Sequence, residues 1–172
     1  AITFEEREAP AYDEAAVQRA QKLAQKKPFS GCPGMRAKQF QRSTAPAAGA
    51  ACPSQLSQWP VQIKLAGVMA PYFDDADLLI AADCTAYAYG NFHEKFIRGR
   101  ITLIGCPKLD AVDYAEKLTA IFVAHSIRSV TVARMEVPCC GGIEQAVQRA
   151  IAASGKAISC HVTVIGTDGT NQ

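Results

Sequence analysis

Leu78-Leu79-Ile80-Ala81-Ala82-Asp83-Cys84 is a short apolar run that ends in an acid and a thiol. Two later stretches repeat the plan: Ile101-Thr102-Leu103-Ile104-Gly105-Cys106-Pro107, and Val130-Thr131-Val132-Ala133-Arg134-Met135-Glu136-Val137-Pro138-Cys139-Cys140-Gly141-Gly142. Apolar runs of this length, closed by glycine and proline, read as strands buried on both faces, the habit of parallel sheets. An open α/β sheet binds ligands in the crevice outside the carboxyl ends of its parallel strands. Cys84, Cys106, Cys139 and Cys140, far apart in sequence, are therefore expected to converge there as a metal or redox centre.

Outward from these runs the chain alternates strand and helix. Strands are expected over 61–66, 77–82, 101–105, 129–135 and 161–165, and helices over 87–98, 111–124 and 142–153, with a short helical turn at 70–75. Repeated strand-helix-strand units imply an α/β domain: a three-layer, Rossmann-like or flavodoxin-like arrangement around a mostly parallel five-stranded sheet. No Gly-x-Gly-x-x-Gly follows the first strand and no Walker-type loop occurs, so nothing supports a dinucleotide or ATP site. Upstream, Ala16, Val17, Ala20, Leu23 and Ala24 recur at helical spacing within 11–27, with Asp13 as the N-cap. Phe29 to Gly34 forms a glycine-punctuated loop, and the small residues of 42–53 read as a linker. The expected division is an N-terminal helix, loop and linker over 1–58 and a metal-binding α/β domain over 59–172.

The 172 residues, 49% hydrophobic and 20% charged, suit one globular domain with a tail. A net charge of +2 with no basic stripe argues against a nucleic-acid partner. No apolar run approaches the roughly 18 to 20 residues of a membrane helix, and the start through Glu5-Glu6-Arg7-Glu8 is not a signal peptide. A cytoplasmic protein without a membrane partner is expected, with room for a homo-oligomer. Seven cysteines in such a chain point to metal or redox chemistry more than to disulfides.

Each thiol-bearing turn has its own chemistry. Cys139 and Cys140 precede a helix whose N-terminal amides and dipole are expected to lower a thiol pKa, while Gly141 and Gly142 leave room for a bulky group. Cys106 has Lys108 nearby and Asp110 as a helix cap, and Cys84 lies between Asp83 and Thr85. Cys32, in Gly31-Cys32-Pro33-Gly34, can supply a fourth thiolate by folding over the crevice. His93 is the candidate histidine ligand or proton donor, although a helical histidine ordinarily serves packing or the surface. His125 and His161 carry weaker signals, Cys160 reads as core, and Cys52 falls in the linker. Four thiolates suit a cubane iron-sulfur cluster or tetrahedral zinc. The compact Cys-x-x-Cys knuckle of structural zinc is missing. The alternatives are a structural or hydrolytic zinc site using cysteines with His93, and metal-free thiol chemistry at Cys139 or Cys140.

The run from Pro53 to Gln62, Ala76 to Cys84, Phe92-His93-Glu94-Lys95-Phe96, Gly105-Cys106-Pro107-Lys108-Leu109-Asp110 and Met135 to Gly142 together resemble the C-terminal domain of a ferredoxin-containing family of 4Fe-4S iron-sulfur binding proteins from anaerobic bacteria and archaea. The resemblance implies an iron-sulfur cofactor and electron transfer with a ferredoxin module or another redox protein. The opening residues resemble the segment that follows the last ferredoxin cysteine in that family. No ferredoxin-type Cys-x-x-Cys-x-x-Cys run occurs in these 172 residues, so the cluster chemistry of this domain falls on Cys32, Cys84, Cys106, Cys139 and Cys140.

Overall fold

The computed structural model describes residues 52–171 and the backbone of Lys38–Gln39. The helix expected over 11–27, the loop bearing Cys32 and most of the linker lie outside the described residues. No described helix is long and apolar enough to cross a membrane.

Strands β1 (Lys38–Gln39) and β2 (Gln58–Trp59) form an antiparallel pair. The main sheet contains β3 (Asp77–Ala82), β4 (Ile101–Gly105), β5 (Ser129–Met135) and β6 (Ser159–Ile165), ordered β4-β3-β5-β6 with every pairing parallel. The strand expected over 61–66 contracts to one parallel bridge, Gln62 with Ile104. The Ile104 amide donates to Val61 O and the Ile63 amide to Ile104 O, after which Leu65 and Ala66 turn back onto Gln62 O. That segment still guards the outer side of β4.

Burial explains the four strands. Leu78, Ile80, Leu103, Val130 and Val132 belong to a core shared with α2 (Tyr114–Ala124) and α3 (Gly141–Ser154), which contribute Leu118, Ile121, Phe122, Ile143, Val147 and Ala150. Leu79, Ala81, Ala133, Met135 and Ile165 alternate with them into a second core, completed by Phe92, Phe96 and Ile97. Side chains in a strand alternate between faces, so runs such as Leu78-Leu79-Ile80 are apolar throughout because both faces are covered.

The helix expected over 87–98 is broken. A single α-helical turn, α1 (Thr85–Ala88), is followed by a π-helical turn at His93–Ile97. Tyr89, at the C-cap of α1, is extended, and Gly90-Asn91 separates the turns. The π turn buries Phe92, Phe96 and Ile97 together, with the Phe92 and Phe96 rings 5.0 Å apart. Helix α2 starts at Tyr114 rather than near 111, because the Asp113 side chain accepts the Ala115 amide as an N-cap and Ala111 has φ of 48°. Pro71–Phe73 is a 3₁₀ turn, as the short element over 70–75 anticipates.

Candidate functional site

In the order β4-β3-β5-β6 the chain leaves β3 first to one side and later to the other. Its connection after β3 packs on the core containing Phe92 and Phe96, whereas α3, after β5, packs on the opposite core. Adjacent strands whose connections depart to opposite faces leave a crevice beyond their carboxyl ends. Register levels those ends: Ala82 pairs with Gly105, and Ala81 pairs with both Ile104 and Ala133. The Asp83 amide still donates to Gly105 O, 3.2 Å away. Cys84, Cys106 and the Cys139-Cys140 pair thus occupy turns at the same end of the sheet.

Cys84 is the N-cap residue of α1, and its carbonyl accepts the Tyr87 and Ala88 amides at 3.2 and 3.1 Å. Thr85, fully buried, donates its hydroxyl to Ala82 O at 2.7 Å and fixes this turn to the strand. Cys84 itself is exposed. Cys139 and Cys140 form a 3₁₀ turn with Pro138 that runs into α3. Here the pair separates: Cys139 is exposed, while Cys140 is 5% exposed and belongs to the core with Met135 and Ile165.

That burial reverses an expectation. Burial pushes the Cys140 thiol pKa up, and the neighbouring Cys139 and Cys84 add to the rise, while a backbone hydrogen bond at Met135 opposes it. Desolvation of the charged form outweighs the helix terminus for this thiol. The same contacts place Cys84 within electrostatic reach of the Cys139-Cys140 pair.

Cys106 is half-buried, and its carbonyl accepts the Leu109 and Asp110 amides at 3.1 and 2.9 Å. Asp110 does not cap a helix; its carboxylate accepts the Tyr114 hydroxyl in a short hydrogen bond. The hydroxyl lies over Gly105, where an added Cβ would come within 2.5 Å of it. Burial first, then Asp110, raises the Tyr114 pKa far above its ordinary value, with Asp83 and Cys106 contributing. Asp83 is also raised, by burial and by the Asp110 charge, with a hydrogen bond from Gln62 opposing; its Oδ1 is buried without a hydrogen-bond partner. The Cys106 turn also meets α3, since a Cβ at Gly142 would come within 3.1 Å of Pro107.

The structure does not bring His93 into this group. It lies on the π turn, and its Nδ1 accepts the Gln55 amide at 3.1 Å, while Gln55 Nε2 donates to Glu94 at 3.1 Å. An imidazole that accepts at Nδ1 carries its proton on Nε2 when neutral, leaving neither nitrogen free to ligate. His93 serves to dock the segment entering the domain. His125, unremarkable in sequence, is a buried clamp: Nδ1 is 2.7 Å from Asp74 Oδ1 and Nε2 is 2.8 Å from Val68 O. Cys160 is exposed on β6 rather than in the core, and Cys52 is exposed. Cys32 lies outside the described residues.

Among the described residues, no three His, Cys, Asp or Glu side chains stand close enough to hold a metal ion. Tetrahedral zinc, with Zn–S bonds of about 2.3 Å, packs its donors around a single point. A cluster takes one thiolate at each of several irons and spreads its donors apart. Cys84, Cys106 and Cys139, exposed or half-buried, lie on three separate turns.

A family model described as a Rossmann-like domain matches residues 70–171. The chain belongs to that family. This Rossmann-like domain is also similar to an uncharacterized protein of Archaeoglobus fulgidus, 30% identical over 115 residues that cover 67% of this chain and 81% of that protein. No solved structure matches it.

Proposed function

We infer that this Rossmann-like domain is a redox module that holds an iron-sulfur cluster at the carboxyl end of its sheet and exchanges electrons with a ferredoxin module or another redox protein. One observation carries the reading: three of the four parallel strands, level in register, run into thiol-bearing turns around the crevice where the connections diverge. Cys84, Cys106 and Cys139 are the residues that would hold the cluster, because each is at least partly exposed there. Bound, the group would supply a one-electron couple. The chain's own part is to present thiolates, to limit water from the Cys140 side through the core containing Met135 and Ile165, and to hold the Cys106 turn through Tyr114 and Asp110. Cys32 is the further thiolate that the sequence offers.

The adjacency of an exposed Cys139 and a buried Cys140 favours a second reading, thiol-disulfide exchange without metal. Anaerobic purification followed by visible absorption and analysis of iron, zinc and acid-labile sulfide separates the two. Brown protein with iron matched by sulfide, lost in Cys84→Ser and Cys139→Ser and kept in Cys160→Ser, supports the cluster. Colourless protein without iron, whose Cys139 reacts stoichiometrically with a disulfide reagent, overturns it in favour of thiol exchange.

A further inference from the structure

Two cavities open beside the segment that joins the Cys106 turn to α2, and Val112, Asp113 and Tyr114 belong to the walls of both. The larger, of about 370 Å³, lies between that segment and α3, where Pro107 and Ala111 meet Gln145 and Ala146. The smaller, of about 240 Å³, is completed by Ile63, Lys64 and Lys117. Val112 is 45% exposed, so the ridge it makes between the two cavities is open to solvent.

The smaller cavity carries one acid and two cations, and only the acid is matched. Asp113 receives both terminal nitrogens of Arg149 at 2.8 Å and accepts the Ala115 amide at 3.0 Å. Lys117 is half-buried, and its Nζ donates to Lys64 O at 2.8 Å, which fixes the amine at the cavity. Among the described residues, no carboxylate pairs with Lys117 or with Lys64. Cations withdrawn from water are ordinarily paired. Burial without a counter-charge pushes the Lys117 amine pKa down, and an anion in the cavity would reverse that cost. An ammonium has three donors, so Lys117 has others to offer besides the one on Lys64 O. Across the ridge the walls suit a carbon skeleton: Pro107, Ala111, Val112 and Ala146 are apolar, and the Gln145 amide offers both a donor and an acceptor. Apolar walls with a few fixed polar groups, at this size, are the habit of small-molecule sites.

We propose that this groove binds a small organic phosphate, with its phosphate on Lys117 and Lys64 and its carbon body laid across Val112 into the larger cavity beside Pro107. Two ammonium groups match a phosphate monoester, which carries a charge of about −1.5 to −2 and three acceptor oxygens at neutral pH. The site adjoins the thiol crevice through Pro107, the residue after Cys106, and uses no thiol, so it stands whether or not a cluster is held there.

The test is isothermal titration calorimetry of the full chain in phosphate-free buffer, with phenyl phosphate as the probe. Saturable binding of one molecule per chain is expected. Lys117→Gln keeps a side-chain N–H donor but removes the charge, and affinity should fall roughly tenfold or more, the usual worth of a hydrogen bond to a charged group. Val112→Trp, at an exposed position, blocks the ridge and should weaken binding by a similar factor, while Lys95→Gln, on the π turn, should bind as the wild type does. Circular dichroism establishes that each variant is folded. Benzoate, which carries a single charge, should bind less tightly than phenyl phosphate. Absence of saturable binding to the wild type at millimolar phenyl phosphate, an affinity that either folded groove variant leaves unchanged, or benzoate that binds as well as phenyl phosphate overturns the proposal.

Discussion

Cys140 lies in the core with Ala133, Met135 and Ile165, while the adjacent Cys139 faces solvent. Neighbouring thiols in such different surroundings should differ sharply in reactivity. Iodoacetamide applied to metal-free, native protein should label Cys139 and Cys84 quickly and reach Cys140 only after unfolding, as read by peptide mass spectrometry; early labelling of Cys140 would contradict its burial. A second contact is tested through Gly105. A methyl group there would stand 2.5 Å from the Tyr114 hydroxyl, so Gly105→Ala should cost about 1–3 kcal/mol, the usual penalty for overpacking, in urea denaturation. The sequence revealed these turns as thiol-bearing strand ends, because an apolar run stopping at Asp-Cys, Gly-Cys or Pro-Cys is a local pattern. It did not reveal the separate environments of Cys139 and Cys140, which depend on Phe92, Phe96 and Ile165 arriving from distant parts of the chain.

Among the elements, α2 is anchored at both ends by long-range contacts. At its N-terminus, Asp113 accepts the Ala115 amide and receives both terminal nitrogens of Arg149 on α3 at 2.8 Å. At its C-cap, His125 joins Asp74 to Val68 O and stands 5.6 Å from the Phe73 ring. Replacing His125 with alanine leaves a carbonyl without its donor and opens space beside Phe73. A loss of about 2–3 kcal/mol in chemical denaturation is expected, with Asp74→Asn milder because that side chain is largely exposed. At the start of the sheet, Asp77 receives Arg128 and Ser129 and so ties β3 to β5. Those hydrogen bonds lower its pKa beneath the ordinary 3.8. The stabilisation is therefore present above the unfolded value and is lost as pH falls through the folded one. Melting temperature should decline with acid below about pH 4, and Asp77→Asn should flatten that decline. The positions of β3 to β6 were legible because their apolar runs are continuous. The helix over 87–98 was misread because Phe92 and Phe96 suit a helical period, while the π turn that buries both with Ile97 is set by tertiary packing.

For the whole molecule, the parallel sheet and its carboxyl-end crevice followed from the alternation of elements, and the family match over 70–171 bears out that fold. The first strand of the alternation shrank to a bridge at Gln62, because its neighbours Ile63 and Ala66 fold into the core below the edge instead of extending along it. A cluster held by turns after β3, β4 and β5 would fasten together connections on both faces of the sheet. Loaded protein should melt at a higher temperature than protein stripped by a chelator under anaerobic conditions, since a group bound only by the folded state stabilises it; equal melting temperatures would count against cross-linking by a cluster. The order β4-β3-β5-β6 also bears on synthesis. Strand β3 leaves the ribosome before either of its neighbours, and its second flank stays bare until residue 135 has been made. A nascent chain stalled between β4 and β5 presents Leu78-Leu79-Ile80 as an uncovered hydrophobic ribbon, a target for chaperones and a seed for aggregation, so interrupted translation is more hazardous to this protein before residue 129 than after residue 135.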